Sequence, residues 1–355
     1  MKLVMIGHGM VGHKFIEAIL EKADDKLEIT ILAEEPRIAY DRVHLTEYFS
    51  GKSAKDLSLA RFDFADAHGI DLRLNTKAIA IDTAAQTVTT SLGDVLHYDK
   101  LVLATGSYAF VPPIVGNDRE NCFVYRTIED LDAIRAASLN AKSGVVIGGG
   151  LLGLEAAKAL RDLNLETHVV EFAPRLMAVQ IDDLGGKVLR RKIENLGVKV
   201  HTQKATSSIE AGNDATHVMK FADGSELETD IILFSAGIRP RDELARSSGL
   251  ALGERGGIKI NDYCQTSDEH IYAIGECALW DNKIYGLVAP GYDMARIAAK
   301  HILAEETHSF AGADMSTKLK LMGVDVASVG DAHGMTPNSL SYFYADEDAL
   351  VYKKI

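Results

Sequence analysis

Lys2-Leu3-Val4-Met5-Ile6-Gly7-His8-Gly9-Met10-Val11-Gly12 opens the chain, and Gly144-Val145-Val146-Ile147-Gly148-Gly149-Gly150-Leu151-Leu152-Gly153 repeats its plan far downstream. In each, a short apolar run of β type enters a G-x-G-x-x-G turn. A helix-patterned stretch follows, and then a second strand-like run ending in acid: Ile29-Thr30-Ile31-Leu32-Ala33-Glu34-Glu35 in the first copy, Thr167-His168-Val169-Val170-Glu171 in the second. One such hexapeptide is weak information. Two of them, in the same strand–turn–helix–strand–acid order, predict a chain that holds two dinucleotides and passes electrons between them.

The residue types follow from the chemistry. Gly7 and Gly148 permit the tight bend from strand to helix, Gly9 and Gly150 let backbone approach a pyrophosphate, and Gly12 and Gly153 let the helix pack hard on the sheet. Met10, Val11, Leu151 and Leu152 open the two helices, whose unpaired amides and positive dipole end receive phosphate. The acid belongs about 20 residues on, where it accepts from the adenosine ribose. Glu34 lies 22 residues after Gly12, and Glu171 lies 18 after Gly153. Val11, Phe15 and Ile19 recur at four-residue spacing along the first helix. Leu152, Ala156, Ala159, Leu160 and Leu163 mark the second, whose alanines suit close packing on a sheet.

The bulk properties bound the reading. At 355 residues, 47% hydrophobic and 25% charged, the chain has room for two or three globular domains. A net charge of -13 speaks against nucleic acid or anionic membrane as a partner. Met1 runs straight into the first strand, and no apolar run approaches membrane-spanning length, which predicts a cytoplasmic protein. Cys122, Cys264 and Cys277 are scattered, with no C-x-x-C pair, and the 12 histidines form no ligand motif. No disulfide framework, cysteine-held cluster or metal is expected.

Further punctuation divides the chain. Residues 94–103 read as a hairpin arm and strand leading into Ala104-Thr105-Gly106, and Pro112-Pro113 marks a first crossing between domains. Asp223-Gly224 reads as a hairpin turn, and Ala236-Gly237-Ile238-Arg239-Pro240 as the second crossing. From Gly312 new strand-like segments begin. Val351-Tyr352-Lys353-Lys354-Ile355 reads as mid-strand, so a continuing polypeptide is expected.

These motifs, together with Ile271-Tyr272-Ala273-Ile274-Gly275-Glu276, resemble those of the pyridine nucleotide–disulfide oxidoreductase superfamily. Within it, residues 34–45, 122–131, 288–292 and 330–334 are similar to the FAD/NAD(P)H-binding portion of the large subunits of NAD(P)H-dependent nitrite reductases. The resemblance implies an α/β fold of two Rossmann-like three-layer domains. FAD would occupy a discontinuous domain of residues 1–111 and 240–308, NAD(P)H an inserted domain of 112–239, and a partial α+β segment would begin at 312–355. It places FAD on Gly7, Gly9, Met10, Val11, Gly12, Arg42, Ala104, Thr105, Gly106, Gly275, Glu276 and Ala289. The FAD ribose falls to Glu34 or Glu35, with Glu35 preferred. It places NADH on Gly148, Gly150, Leu151, Leu152, Gly153, Glu171 and Gly237, with Glu155 either near the nicotinamide or simply matched to the helix dipole. Glu276 stands where the family usually has aspartate, one methylene shorter. Glu47 stands where related ferredoxin and rubredoxin reductases carry a lysine near the flavin, so that lysine's role is not carried over.

Hydride transfer between two cofactors needs no protein nucleophile, only positioned rings in a dry pocket. Glu171 favours NADH, because a carboxylate repels the 2′-phosphate of NADPH; Arg175 could partly offset this. Thiol chemistry is disfavoured because residues 40–48 contain no cysteine. The expected function is an NADH dehydrogenase module feeding an iron–sulfur or sirohaem acceptor in a domain or protein outside this chain. A stand-alone NADH:ferredoxin or rubredoxin reductase and a non-catalytic flavin-binding protein are the alternatives. The sequence leaves the oligomeric state open.

Overall fold

The computed structural model describes residues 1–22, 27–321 and 323–355. Its contacts divide the chain into two units. The first comprises Met1–Val43, Ala54–Tyr108 and Ile238–Asp314; the second comprises His44–Ser53, Ala109–Gly237 and Met315–Ile355.

In the first unit the opening strand Lys2–Ile6 lies at the centre of a five-stranded sheet in the order 271–273, 100–103, 2–6, 28–32, 71–73, with every pairing parallel. Leu3, Val4 and Met5 are buried, as expected of a parallel strand covered on both faces and therefore written as a continuous apolar run. Helix Met10–Leu20 buries Phe15 and Ile19 of the anticipated stripe together with Ile16, while Val11 is half-buried. It packs against helix Val288–Ile302, where Gly291 leaves no space for a Cβ, which would sit 2.5 Å from Val11 Cγ2. A three-stranded antiparallel sheet, Ala78–Asp82, Thr87–Thr90 and Val95–His97, completes the unit.

The second unit repeats this architecture strand for strand. Ser143–Ile147 is central in a parallel sheet ordered 199–201, 166–170, 143–147, 231–234, 122–124. A three-stranded antiparallel sheet of Thr206–Ala211, His217–Phe221 and Glu226–Thr229 again intervenes, here before strand 231–234, the counterpart of 100–103, with the 223–224 turn joining its last two members. In both units the chain reverses direction across the sheet at the C-terminal end of the central strand, the switch point at which doubly wound sheets bind ligands. One difference remains. The edge strand beside 231–234 precedes its unit's central strand in sequence (122–124), whereas its counterpart beside 100–103 arrives late (271–273).

Residues 44–53 group with the second unit through a polar and aromatic anchor. Tyr48 donates to Asp132 (2.5 Å), and Arg135 stacks on the Tyr48 ring (4.2 Å) while donating to its carbonyl (2.7 Å). Ser50 donates to Asp162 (3.0 Å). Residues 315–355 form two antiparallel hairpins, Thr317–Leu321 with Val324–Ser328 and Phe343–Asp346 with Val351–Lys354. Tyr352 donates to Asp182 (2.6 Å), the N-cap of helix Asp183–Asn195.

Asp230 ties the second unit together. Its carboxylate accepts from the amides of Lys142 (2.8 Å), Ser143 (3.1 Å) and Thr216 (3.1 Å) and from two hydroxyls. Burial opposes ionisation, but these donors hold its carboxyl below the ordinary aspartate range. Its stabilisation is therefore present above the unfolded value of 3.8 and disappears as pH falls through the depressed folded value. Asp230→Ala strands these donors and is expected to cost about 1–3 kcal/mol at neutral pH, read from denaturant unfolding. A loss that did not shrink on acidification would contradict the ionised latch.

Candidate functional site

The two glycine turns are superposable in their contacts. A Cβ on Gly7 would lie 2.3 Å from the Ala104 carbonyl oxygen; one on Gly148 would lie 2.2 Å from that of Ser235. A Cβ on Gly12 would meet the Gly7 carbonyl oxygen at 2.6 Å, and one on Gly153 the Gly148 carbonyl oxygen at 1.9 Å. The middle glycines behave oppositely, since Gly9 and Gly150 face open space with nothing within 4 Å. Two glycines of each turn are thus required by the protein's own packing, and the third leaves room for a group approaching the backbone.

Helix capping distinguishes the same places. Among the described residues five helices exceed ten residues. Two carry side-chain caps: Thr127, in a capping box with Asp130, and Asp182. Helices Met10–Leu20, Leu151–Asp162 and Val288–Ile302 have no side-chain cap and no acid in the first turn. Free amides and an uncompensated positive end suit anionic or electron-rich ligand atoms. Ala289 lies in the first turn of the third of these helices. Leu152, in the first turn of the second, is 44% exposed.

Around the first turn, Glu35 accepts from Tyr40 (2.7 Å) and pairs with Arg42. Arg42 also stacks on Tyr40 (4.9 Å), has Glu276 as a further charged neighbour, and donates its amide to Met10 Sδ (3.4 Å). Glu276 accepts from Ser107 (2.7 Å). A Cβ on Gly275 would touch Val11 at 3.3 Å. Thr105 donates to the Arg241 carbonyl (2.6 Å), and Gly106 adopts a positive φ of 68°. Glu34 points elsewhere, to Arg241 (2.8 Å) and Lys77 (3.2 Å). Tyr40 and Ser107 were not singled out from the sequence; their partners lie 5 and 169 residues away, and only the first separation is local enough to read.

Around the second turn, Glu171 accepts from Gly149 N–H (2.5 Å) and Ala173 N–H (2.7 Å), fixing the carboxylate beside the turn. Gly237 follows the fourth strand as Gly106 does in the first unit, again with positive φ (108°). Arg175 is engaged away from Glu171: it donates to Asp183 (2.6 Å) and to the carbonyls of Ile181 (3.0 Å) and Ala178 (3.4 Å). Its stem lies over Gly186, where a Cβ would sit 2.9 Å from it. Burial pushes the Glu155 carboxyl up to about 7, opposed by the nearby His44. Glu47 is paired with Lys52.

Burial raises all three thiols, Cys122 to about 11, so none is a thiolate at neutral pH. Among the described residues no three His, Cys, Asp or Glu side chains group to hold a metal, and no helix is long and apolar enough to cross a membrane.

Each of the paired cradles presents an open glycine beside an uncapped helix start, a geometry suited to an anionic group such as a diphosphate. Residues 1–301 match the family model described as pyridine nucleotide-disulphide oxidoreductase, and the chain belongs to that family. It is 57% identical over 356 residues to the nitrite reductase (NADH) large subunit of Escherichia coli (strain K12), spanning 100% of this chain and 42% of that protein. It is 59% identical over 354 residues to the nitrite reductase [NAD(P)H] large subunit of Klebsiella oxytoca, spanning 99% of this chain and 37% of the relative. Among solved structures, a NAD-dependent persulfide reductase from A. fulgidus aligns with a TM-score of 0.86 at 29% identity, over 93% of this chain and 64% of that one. The chain therefore spans less than half the length of these two curated relatives. It has the α/β fold of that family.

Glu155 yields a pH signature. Its carboxyl binds a proton more tightly in the folded chain (about 7) than at the ordinary 4.5. Between those values the folded state holds more protons, so Glu155 lowers stability progressively as pH rises. Glu155→Gln is expected to melt a few degrees higher than the native chain at pH 8 and equally near pH 4, by differential scanning calorimetry. Coincident curves at both pH values would contradict the raised carboxyl.

Proposed function

We propose that this chain is the electron-input portion of an NAD(P)H-dependent nitrite reductase, with FAD on the first turn and NADH on the second. Residues 7, 9 and 12, with the amides of the helix beginning at Met10, would hold the FAD diphosphate. Arg42 would lie along it. Glu35, already oriented by Tyr40 and Arg42, would take the adenosine ribose, and Glu276, oriented by Ser107, the ribityl chain. Residues 148, 150 and 153 would hold the NADH diphosphate and Glu171 its adenosine ribose. When bound, nicotinamide and flavin supply the hydride chemistry, and the protein supplies position and exclusion of water.

The observation that carries this reading is the repeated cradle: two turns closed by the same glycine-to-carbonyl contacts, each with an open middle glycine and an uncapped helix. NADH is favoured over NADPH because Glu171 is fixed by two amides while Arg175, four residues on, is held by Asp183 and two carbonyls. A 2′-phosphate would meet a carboxylate whose neighbouring Arg175 is already held by other acceptors.

Electrons then leave for an acceptor outside these 355 residues. An iron–sulfur or sirohaem centre fits the names and greater length of the nitrite reductase relatives. The flavin-loaded chain should reduce ferricyanide rapidly with NADH. It should reduce nitrite only when the remaining portion of a full-length nitrite reductase is supplied. A chain that takes up no flavin would overturn the reading; efficient rubredoxin reduction with no stimulation of nitrite reduction would replace its acceptor.

Glu171→Ala should raise the KM for NADH by about tenfold, the equivalent of one strong ribose contact. It should also narrow the gap to NADPH. Steady-state kinetics with both nucleotides test this, and unchanged KM values for both would place the ribose elsewhere.

A further inference from the structure

The two turns differ most at their second position, and the difference is reciprocal. In the second turn that position is Gly149, and a Cβ built there would lie 2.6 Å from Leu176 Cδ2, 3.1 Å from Glu171 Oε2 and 3.2 Å from Glu171 Cβ. The position therefore faces the residue that follows the second parallel strand. The register of the two units is fixed by matching bonds: Gly7 N–H donates to the Leu32 carbonyl at 2.9 Å, and Gly148 N–H to that of Val170 at 2.8 Å. Ala33 thus stands where Glu171 stands, and Glu34 and Glu35 come one and two residues later. The second unit combines a strand-end carboxylate with a turn residue that has no side chain. The first combines a strand-end methyl with an imidazole, His8.

His8 is 8% exposed, and neither of its ring nitrogens has a hydrogen-bond partner among the described residues. Its aromatic neighbour is His13, edge-on with ring centroids 5.6 Å apart. Buried polar groups in native proteins are almost always bonded, and an orphaned one costs stability. Here the orphan stands between Gly7 and Gly9, at an uncapped helix start, at the turn position that in the other cradle faces Glu171.

We propose that His8 is a binding residue for the adenosine-diphosphate half of FAD, filling in the first unit the place that the Glu171 carboxylate fills in the second. The proposal rests on FAD occupying the first turn. A neutral imidazole donates from one nitrogen and accepts at the other, so it can bond a ribose hydroxyl or a phosphate oxygen. Burial, and next to it His13, hold the ring neutral at physiological pH, with its pKa lowered to about 4.

The test is titration of the flavin-stripped 355-residue chain with FAD, followed by flavin fluorescence. His8→Phe should bind FAD about tenfold more weakly, while His8→Asn, which keeps a donor and an acceptor, should recover most of the loss. NADH binding and the thermal melt of the same variants should be unchanged, which shows that both units still fold. With ¹⁵N-labelled histidine in the native chain, the His8 ring signals should shift on addition of FAD. Native affinity in His8→Phe, a His8→Asn variant as weak as His8→Phe, or unshifted ring signals would each overturn the proposal. Gly12→Val separates the two layers of inference: if it retains FAD, the placement of FAD on the first turn fails irrespective of His8.

Discussion

Every other feature of the two sites depends on one steric constraint, the closure of each glycine turn against carbonyl oxygens of its own unit. The first glycine is pressed on the strand that follows in the sheet, and the third on the carbonyl of the first, at approaches that no Cβ could survive. This closure brings the helix start onto the end of the central strand. The free amides, the dipole and the strand-end acid then converge without any side chain holding them there. What the cradle can bind is decided by the few positions that the closure leaves open.

Those positions show how one plan is tuned twice. In the second unit a carboxylate is clamped to the turn by two amides, and the one nearby arginine is committed elsewhere. In the first unit the acid is moved further along the loop and paired with Arg42. The burial of Glu155, the engagement of Glu276 by Ser107 and the unbonded imidazole of His8 are refinements on this shared frame.

The glycines, the strand-end acid Glu171, the 223–224 hairpin and the Gly275-Glu276 pair were legible in the sequence because each residue type is dictated by its own local backbone. Glu34 and Glu35 were harder. Spacing brought both within range, but only the hydrogen-bond register shows that Ala33 holds the position of Glu171 and that Glu34 turns to Arg241 and Lys77. The grouping of residues 44–53 with the second unit, through Tyr48, Asp132 and Arg135, joins segments more than 80 residues apart. No local pattern encodes such a pairing. The meaning of His8 was invisible for a different reason: a variable position within a motif carries information only when its surroundings are known to lack a partner.

The order of strands along the chain has a consequence for how the molecule is made. All five parallel strands of the second unit lie between residues 122 and 234, so its sheet can close as soon as that stretch is synthesised. The parallel sheet of the first unit begins earlier yet finishes later. Its fourth strand, 100–103, keeps a bare edge until 271–273 arrives, and helix Val288–Ile302 comes later still. Pairings of such long sequence separation form slowly and leave unsatisfied strand edges in the interval. The parallel sheet that begins at the N-terminus is therefore the last of the two to be completed, and the cradle on its glycine turn becomes a late product of biogenesis, following closure of the sheet encoded within it.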